Sequence, residues 1–182
     1  MARAVVLLAP GFEEIEAVTP IDVLRRAGVD VQVLSEDGAA VEGAHGVTFA
    51  VDGALATAGE PDLLVLPGGM PGATNLAASA AIAELVRATH ARGKLVGAIC
   101  AAPAVALAPT GVLSGRRATC YPGFEERFPA DVNAVAERVV VDGNLITSRG
   151  PGTALEFALT LVEQLVGAER AAQLRQGMLA QA

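Results

Sequence analysis

The chain has 182 residues, enough for a single domain with an ordinary core, and we predict one domain over residues 1–182. Hydrophobic residues make up 52% and aromatics only 3% of the sequence, which argues against disorder and predicts an aliphatic core. The formal net charge of -7 disfavours a dedicated nucleic-acid binder or an anionic-membrane binder. Two cysteines are too few for a disulfide scaffold and fit a reducing cytoplasm.

A membrane segment is also disfavoured. Residues 95–115 carry no charged side chain and are long enough to span a bilayer as a helix. Pro103 and Pro109 would interrupt that helix, so a buried strand followed by a short helix is the better interpretation. The first residues reach Glu13 and Glu14 too soon for a signal peptide, and we therefore predict a cytoplasmic location.

The first third of the chain predicts a strand, a helix and a strand. Residues 4–9 are a continuous apolar run, typical of a strand buried on both faces. Residues 14–27 predict a helix that ends at Gly28, with apolar residues near helical spacing at Ile15, Val18, Ile21, Val23 and Leu24. Residues 29–34 alternate like a second strand, and a turn-rich segment leads to a short strand over 47–51.

The same alternation continues to the end of the chain. The predicted elements are a buried strand over 62–66, a helix over 77–92, a buried strand over 95–99, a helix from about Ala101, a short strand over 117–120, a hairpin over 139–146, a helix over 152–166 and a last helical stretch after Gly167. Strands that alternate with helices at this spacing predict a three-layer α/β/α sandwich around a mostly parallel sheet.

In such a sheet, chemistry concentrates where the carboxyl ends of the strands meet loops. Three predicted strand ends carry unusual residues, in segments 11–16 and 67–72 and at Cys100. The glycine-rich segment 67–72 matches neither the dinucleotide fingerprint nor the P-loop. It is either a tight turn into a helix or, beside a nucleophile, a source of backbone N–H groups for an oxyanion.

Cys100 lies between a predicted buried strand and a helix whose first turn contains Pro103. A thiol at a helix N-terminus meets unpaired N–H groups and the positive end of the helix dipole, so this position is expected to lower its pKa. The alternative is that Cys100 is an ordinary small buried residue. The strand-turn-helix layout favours a reactive thiol.

Three glutamates stand at the start of the first predicted helix. Acidic residues in a first turn complement the helix dipole, which accounts for Glu13 and Glu14. Glu16 has a helical phase that points inward. A carboxyl buried near a thiolate should be protonated and donate a hydrogen bond to sulfur, so Glu16 is a candidate acid/base partner of Cys100.

Four motifs in order resemble the ThiJ/PfpI superfamily, and specifically its Parkinsonism-associated protein deglycase branch. They are LAPGFEEIEAV at 8–18, VLPGG at 65–69, AICAAP at 98–103 and TSRGPGT at 147–153. The resemblance implies a flavodoxin-like, class I glutamine amidotransferase-like sandwich that forms a homodimer without a metal or an organic cofactor. It further implies that Cys100 is the nucleophile and Glu16 a protonated carboxyl hydrogen-bonded to it.

By the same resemblance, the backbone N–H groups of Gly69 and Ala101 form the oxyanion site, and Gly68 shapes the pocket. The resemblance implies glyoxalase activity without glutathione, with methylglyoxal as a small aldehyde substrate and lactate as product, or removal of early glycation adducts from protein side chains. It also implies the alternative of an oxidative-stress sensor or redox chaperone that acts through oxidation of Cys100.

The sequence departs from this family where several relatives carry a histidine near the cysteine. Here Ala101 follows Cys100, and the Thr-His-Pro-like segment reads Cys120-Tyr121-Pro122. The two histidines, His45 and His90, are predicted to be surface residues, so peptidase activity is disfavoured. An amidase or esterase on the same scaffold, a further alternative, also lacks a visible base. Tyr121 could hydrogen-bond a substrate oxygen, and Cys120 is either a second redox thiol or a packing residue.

Overall fold

A central, mostly parallel sheet of seven strands organises the protein, of which the computed structural model describes residues 1–180. The strand order is β10-β11-β7-β6-β1-β2-β5, and only β10 runs antiparallel to its neighbour. Two small ribbons, β3-β4 and β8-β9, lie outside this sheet. The strands are β1 (Arg3–Leu7), β2 (Asp30–Ser35), β3 (Val41–Glu42), β4 (Thr48–Phe49), β5 (Gly53–Ala54), β6 (Leu63–Leu66), β7 (Leu95–Ile99), β8 (Arg117–Ala118), β9 (Asn133–Ala134), β10 (Val139–Asp142) and β11 (Leu145–Ser148).

Helices flank the sheet in two groups. The helices are α1 (Glu14–Arg26), α2 (Gly72–Ala78), α3 (Ala80–Ala91), α4 (Ala154–Leu165) and α5 (Ala168–Gly177). Helix α1 packs on α4, which also contacts α5, while α2 and α3 pack against a π-helical turn at Pro103–Leu107. The alternating pattern predicted this mostly parallel α/β/α sandwich, and the family resemblance implied its flavodoxin-like form. Within residues 1–180, every helix is too short or too polar to cross a membrane.

The core is aliphatic because the central strands are short apolar runs buried on both faces. All four residues of β6 and the last four of β1 are buried. In β7, Gly97 lets α4 approach closely, since a Cβ there would lie 3.0 Å from Phe157 and Leu161. A sheet covered on both sides needs continuous rather than alternating hydrophobicity, and this explains why these strands could be predicted.

Three predicted elements differ in the structure. The helix predicted over 77–92 begins only at Ala80 as α3, and α2 before it was not predicted. Ser79 separates the two helices, and its hydroxyl accepts a hydrogen bond from the Ile82 N–H at 3.4 Å and caps α3. The strand predicted over 47–51 is only Thr48–Phe49 and pairs with β3 outside the main sheet. The helix predicted from Ala101 is limited to the π-helical turn and a following 3-10 turn at Ala108–Thr110.

Helix α1 also buries a narrower face than its apolar pattern suggests. Ile21 and Leu24 are buried, whereas Ile15 is 54% and Val18 42% exposed. Glu16, which lies between Ile15 and Val18 in sequence, is fully buried. The helix therefore directs a carboxyl inward and presents two apolar side chains outward.

Candidate active site

The carboxyl ends of three adjacent strands bring the candidate residues together. In the sheet, β6 lies between β1 and β7, with all three strands parallel. The chain after β1 enters α1 and supplies Glu16, the turn after β6 contains Gly68 and Gly69, and β7 ends at Cys100. The three segments singled out in the sequence therefore meet at one edge of the sheet.

Cys100 occupies a sharp turn between β7 and the π-helical turn. Its φ of 64° lies in the left-handed region, which is uncommon for a residue with a side chain and indicates local strain. The turn is held on both sides: the Cys100 N–H donates to the Ser148 carbonyl at 2.9 Å, and the Tyr121 N–H donates to the Cys100 carbonyl at 2.8 Å. Cys100 is 8% exposed, so the backbone presents its thiol in a small opening.

Two backbone N–H groups act on the sulfur. Those of Gly69 and Ala101 both lower the pKa of the Cys100 thiol. Gly69 has a φ of 86°, and a Cβ there would lie 2.4 Å from the Glu13 nitrogen, so the position requires glycine. A Cβ at Gly68 would lie 2.7 Å from both the Cys100 Cβ and the Glu16 Oε2. The paired glycines thus let the loop approach the thiol and the carboxyl closely.

Glu16 is the buried acid of the site. Its Oε2 accepts the Gly68 N–H at 2.9 Å, and among residues 1–180 no hydrogen-bond partner reaches its buried Oε1. Burial, reinforced by the charge of Glu13, raises the pKa of Glu16 to about 7. The Cys100 thiol and the Gly68 N–H act in the opposite direction, because they favour the ionised form. Glu16 can therefore bind or release a proton near neutral pH.

The expectation of a lowered thiol pKa is wrong. Burial, followed by the charge and hydrogen bond of Glu16, raises the pKa of Cys100 to about 12, against the smaller effects of the Gly69 and Ala101 N–H groups. A helix terminus of one short turn does not compensate for the lost hydration of a thiolate. Because the thiol and the carboxyl each act on the ionisation of the other, their protons leave in two steps that belong to the pair, the first near neutral pH and the second at far higher pH.

Tyr121 and Gly150 border the opening. A Cβ on Gly150 would lie 3.1 Å from the Tyr121 ring and 4.0 Å from the Glu16 Oε1, so the ring and the free carboxyl oxygen are on the same side of the site. Tyr121 is 45% exposed and packs edge-to-face on Phe124. Gly150 was not predicted as a site residue, although it lies in the TSRGPGT motif.

The second cysteine is separate from this chemistry. Both cysteines are free thiols, and Cys120 is fully buried. Burial and the nearby charge of Glu125 raise the pKa of Cys120 to about 12, and Arg149 acts in the opposite direction. A fully buried thiol that is not held by a strained turn fits packing better than redox reactivity.

The histidines do not join the site. His45 is exposed, as predicted, and its Nδ1 lies 2.8 Å from the Glu14 Oε2, whereas His90 is half-buried rather than at the surface.

Glu13, Glu14 and His45 place potential ligand atoms within 4.8 Å of one another. Hydrogen bonds explain this grouping, because Glu14 holds His45 and Glu13 caps α1. These residues fit a role in loop anchoring.

Known proteins share this sequence pattern. The model of the DJ-1/PfpI family matches residues 2–164 of this chain. The chain belongs to the DJ-1/PfpI family. Protein DJ-1 homolog B of Arabidopsis thaliana is 44% identical over 94% of this chain and 40% of its own length. The Parkinson disease protein 7 homolog of Danio rerio is 46% identical over 95% of this chain and 94% of its own length. The chain thus spans less than half of some curated DJ-1 relatives and nearly all of others.

Solved DJ-1 structures show the same fold. Drosophila melanogaster DJ-1beta superposes with a TM-score of 0.95 at 43% identity, covering 100% of this chain and 99% of that one. An oxidized form of Toxoplasma gondii DJ-1 has a TM-score of 0.94 at 42% identity over 98% of both chains.

Another DJ-1 relative, named glutathione-independent glyoxalase DJR-1.2, of Caenorhabditis elegans, is 38% identical over 92% of this chain and 90% of its own length.

Proposed function

We propose that this DJ-1 family protein is a cofactor-independent glyoxalase or protein deglycase that uses Cys100 as nucleophile and Glu16 as proton shuttle. The observation that carries the proposal is the buried Glu16, whose pKa is raised to about 7 and whose Oε1 is unpaired beside the Cys100 thiol. A relative from C. elegans is named a glutathione-independent glyoxalase, which supports the reaction class. The low exposure of Cys100, 8%, favours a small aldehyde or an early adduct on a protein side chain.

The proposed reaction begins when the ionised Glu16 carboxyl accepts the proton of the Cys100 thiol. The sulfur adds to the aldehyde carbon of methylglyoxal, and the resulting oxyanion accepts hydrogen bonds from the N–H groups of Gly69 and Ala101. We expect Tyr121, whose ring lies on the same side of Gly150 as the Glu16 Oε1, to hydrogen-bond a substrate oxygen. The product of this step is a hemithioacetal once Glu16 donates its proton to the oxyanion.

Glu16 then removes the hydrogen from the former aldehyde carbon as a proton and returns it to the neighbouring carbonyl carbon, while the hydroxyl proton on the first carbon moves to the oxygen on the second. The first carbon is oxidised to a thioester while the second is reduced to an alcohol, so no external oxidant or reductant is needed. Water hydrolyses the thioester, releases lactate and restores the Cys100–Glu16 pair. The net reaction consumes one methylglyoxal and one water for each lactate.

A lactate assay tests this proposal. Wild-type protein, freed of metal ions with a chelator, is expected to convert methylglyoxal to lactate in the absence of glutathione, with saturation kinetics. A heat-denatured sample supplies the uncatalysed rate. A native sample that forms lactate no faster than the denatured one would contradict the proposal.

An oxidative-stress sensor is the second candidate, favoured by the solved oxidized form of T. gondii DJ-1. Under the sensor hypothesis, peroxide oxidises the Cys100 thiol to a sulfinate. The Gly69 and Ala101 N–H groups and protonated Glu16 would stabilise this sulfinate. Selective oxidation of Cys100 at low peroxide, measured by mass spectrometry, together with negligible lactate formation, would favour the sensor over the enzyme.

We also propose that the chain acts as one domain and pairs as a homodimer through the outer face of α1. Ile15 and Val18 are exposed there, and Val47 on the adjacent loop is 54% exposed. Changing Ile15 and Val18 together to lysine is expected to convert a dimer to a monomer, because two desolvated charges oppose association. Sedimentation equilibrium measures the result; a monomeric wild-type protein would contradict the proposal.

A further inference from the structure

Glu13 connects the three parts of the candidate site. It is the N-cap of α1, and its Oε2 accepts the Glu16 N–H at 2.8 Å. The Glu13 N–H donates to the Gly68 carbonyl at 3.0 Å, and the Gly68 N–H donates to the Glu16 Oε2 at 2.9 Å. Three hydrogen bonds thus form a closed ring through Glu13, Gly68 and Glu16, which fixes the acid relative to the glycine loop.

The Glu13 side chain is more buried than an ordinary helix cap. It is 8% exposed, and within residues 1–180 it forms no salt bridge. Serine, threonine or asparagine can accept the same capping hydrogen bond without placing a second buried carboxylate beside Glu16. Capping alone therefore does not explain why a glutamate occupies this position.

We propose that Glu13 is a positioning residue for the Cys100–Glu16 pair: its carboxylate orients Glu16 through the capping hydrogen bond, and its negative charge keeps the proton on Glu16. The groups that act on the Glu16 carboxyl are the Glu13 charge, the Cys100 thiol and the Gly68 N–H, with the Tyr121 ring across Gly150. Like charge at short range disfavours ionisation of the second carboxyl. The charge of Glu13 thus raises the pKa of Glu16 toward neutral pH, where the carboxyl can both release and recover a proton.

The test separates charge from shape. Glu13→Gln and Glu13→Ser retain an acceptor for the Glu16 N–H and remove the charge, whereas Glu13→Asp retains both. The readout is the pH titration of the Glu16 side-chain carboxyl by ¹³C NMR, in wild-type and in Cys100→Ser backgrounds; the signal is assigned by its absence in Glu16→Gln. Glu14→Gln, the same change one residue along, is the matched control.

We expect both neutral substitutions to move the Glu16 titration midpoint to lower pH, by about half a pH unit or more, since a repulsive charge has been removed. Glu13→Asp and Glu14→Gln should leave it within about a tenth of a unit of wild type. In the wild-type Cys100 background, the pH dependence of kcat should shift in the same direction. A purely structural role would lower the melting temperature without moving the titration.

The inference builds on the proposed roles of Cys100 and Glu16, but the titration needs no substrate, so its failure is distinct from failure of the lactate assay. An unchanged midpoint in both neutral variants overturns the role of Glu13. If Glu13→Gln does not fold, Glu13→Ser gives the result alone, because serine is an established N-cap residue. A shift of equal size in Glu14→Gln would also overturn the inference, because it would assign the effect to general charge at the helix start.

Discussion

Replacing Cys100 with serine is expected to reduce lactate formation from methylglyoxal by at least about 10³-fold, to the uncatalysed rate. The hydroxyl keeps the shape of the side chain but is a much weaker acid and nucleophile than the thiol. Glu16 cannot compensate, since a carboxyl with a pKa of about 7 is too weak a base to ionise serine. The substitution therefore removes the attacking atom while leaving the Gly69 and Ala101 N–H groups in place.

Cys120→Ser provides the matched control for this prediction. It makes the same atomic change in the other free thiol. Cys120 is fully buried and is not part of the hydrogen-bonded ring of Glu13, Gly68 and Glu16. Its activity per folded molecule should remain within about twofold of wild type. Continuous lactate measurement with circular dichroism of each variant checks both expectations. Residual lactate in Cys100→Ser at the wild-type rate, or its loss only in Cys120→Ser, would contradict Cys100 as nucleophile.

Much of the fold could be predicted because the determining signals are local. The apolar runs of β1, β6 and β7 indicate strands buried on both faces, and Gly28 and Gly93 end helices where predicted. The break at Ser79 is harder to predict, since alanine-rich sequence continues on both sides, and the Ser79 hydroxyl that caps α3 also donates to Glu36, a residue distant in sequence. Local propensity thus predicts the order of elements better than their boundaries.

The composition of the candidate site was also predictable, but its electrostatics were not. Cys100 and Glu16 stand at recognisable places relative to predicted strands and helices, so the topology brings them together. The pKa of each depends on burial by distant segments, which raises both values. The sequence predicts only an ordinary first-turn acid at Glu13, because the contact of Glu13 with Gly68 joins segments far apart in sequence.

Glu16→Gln is expected to lower lactate formation by about 10²- to 10⁴-fold. Glutamine can still accept the Gly68 N–H and donate to sulfur, so it imitates the protonated acid in shape and charge. It cannot release and recover a proton near neutral pH, which the proposed transfer between the two carbons requires. A loss mainly in kcat, with a small change in KM, would assign Glu16 to the chemical step.

The same substitution should make the protein more stable at alkaline pH. The pKa of Glu16 is about 7 in the folded protein and 4.5 as an ordinary carboxyl, so between these values the folded state binds more protons and wild-type stability falls as pH rises. Glutamine removes this penalty: above about pH 8 the free energy of unfolding should exceed that of wild type by about 1–3 kcal/mol, with no gain below about pH 4. Urea unfolding across this range measures the difference. Low activity together with higher alkaline stability would show that Glu16 is retained for its proton chemistry at a cost to the fold, whereas a variant destabilised at every pH would contradict that interpretation.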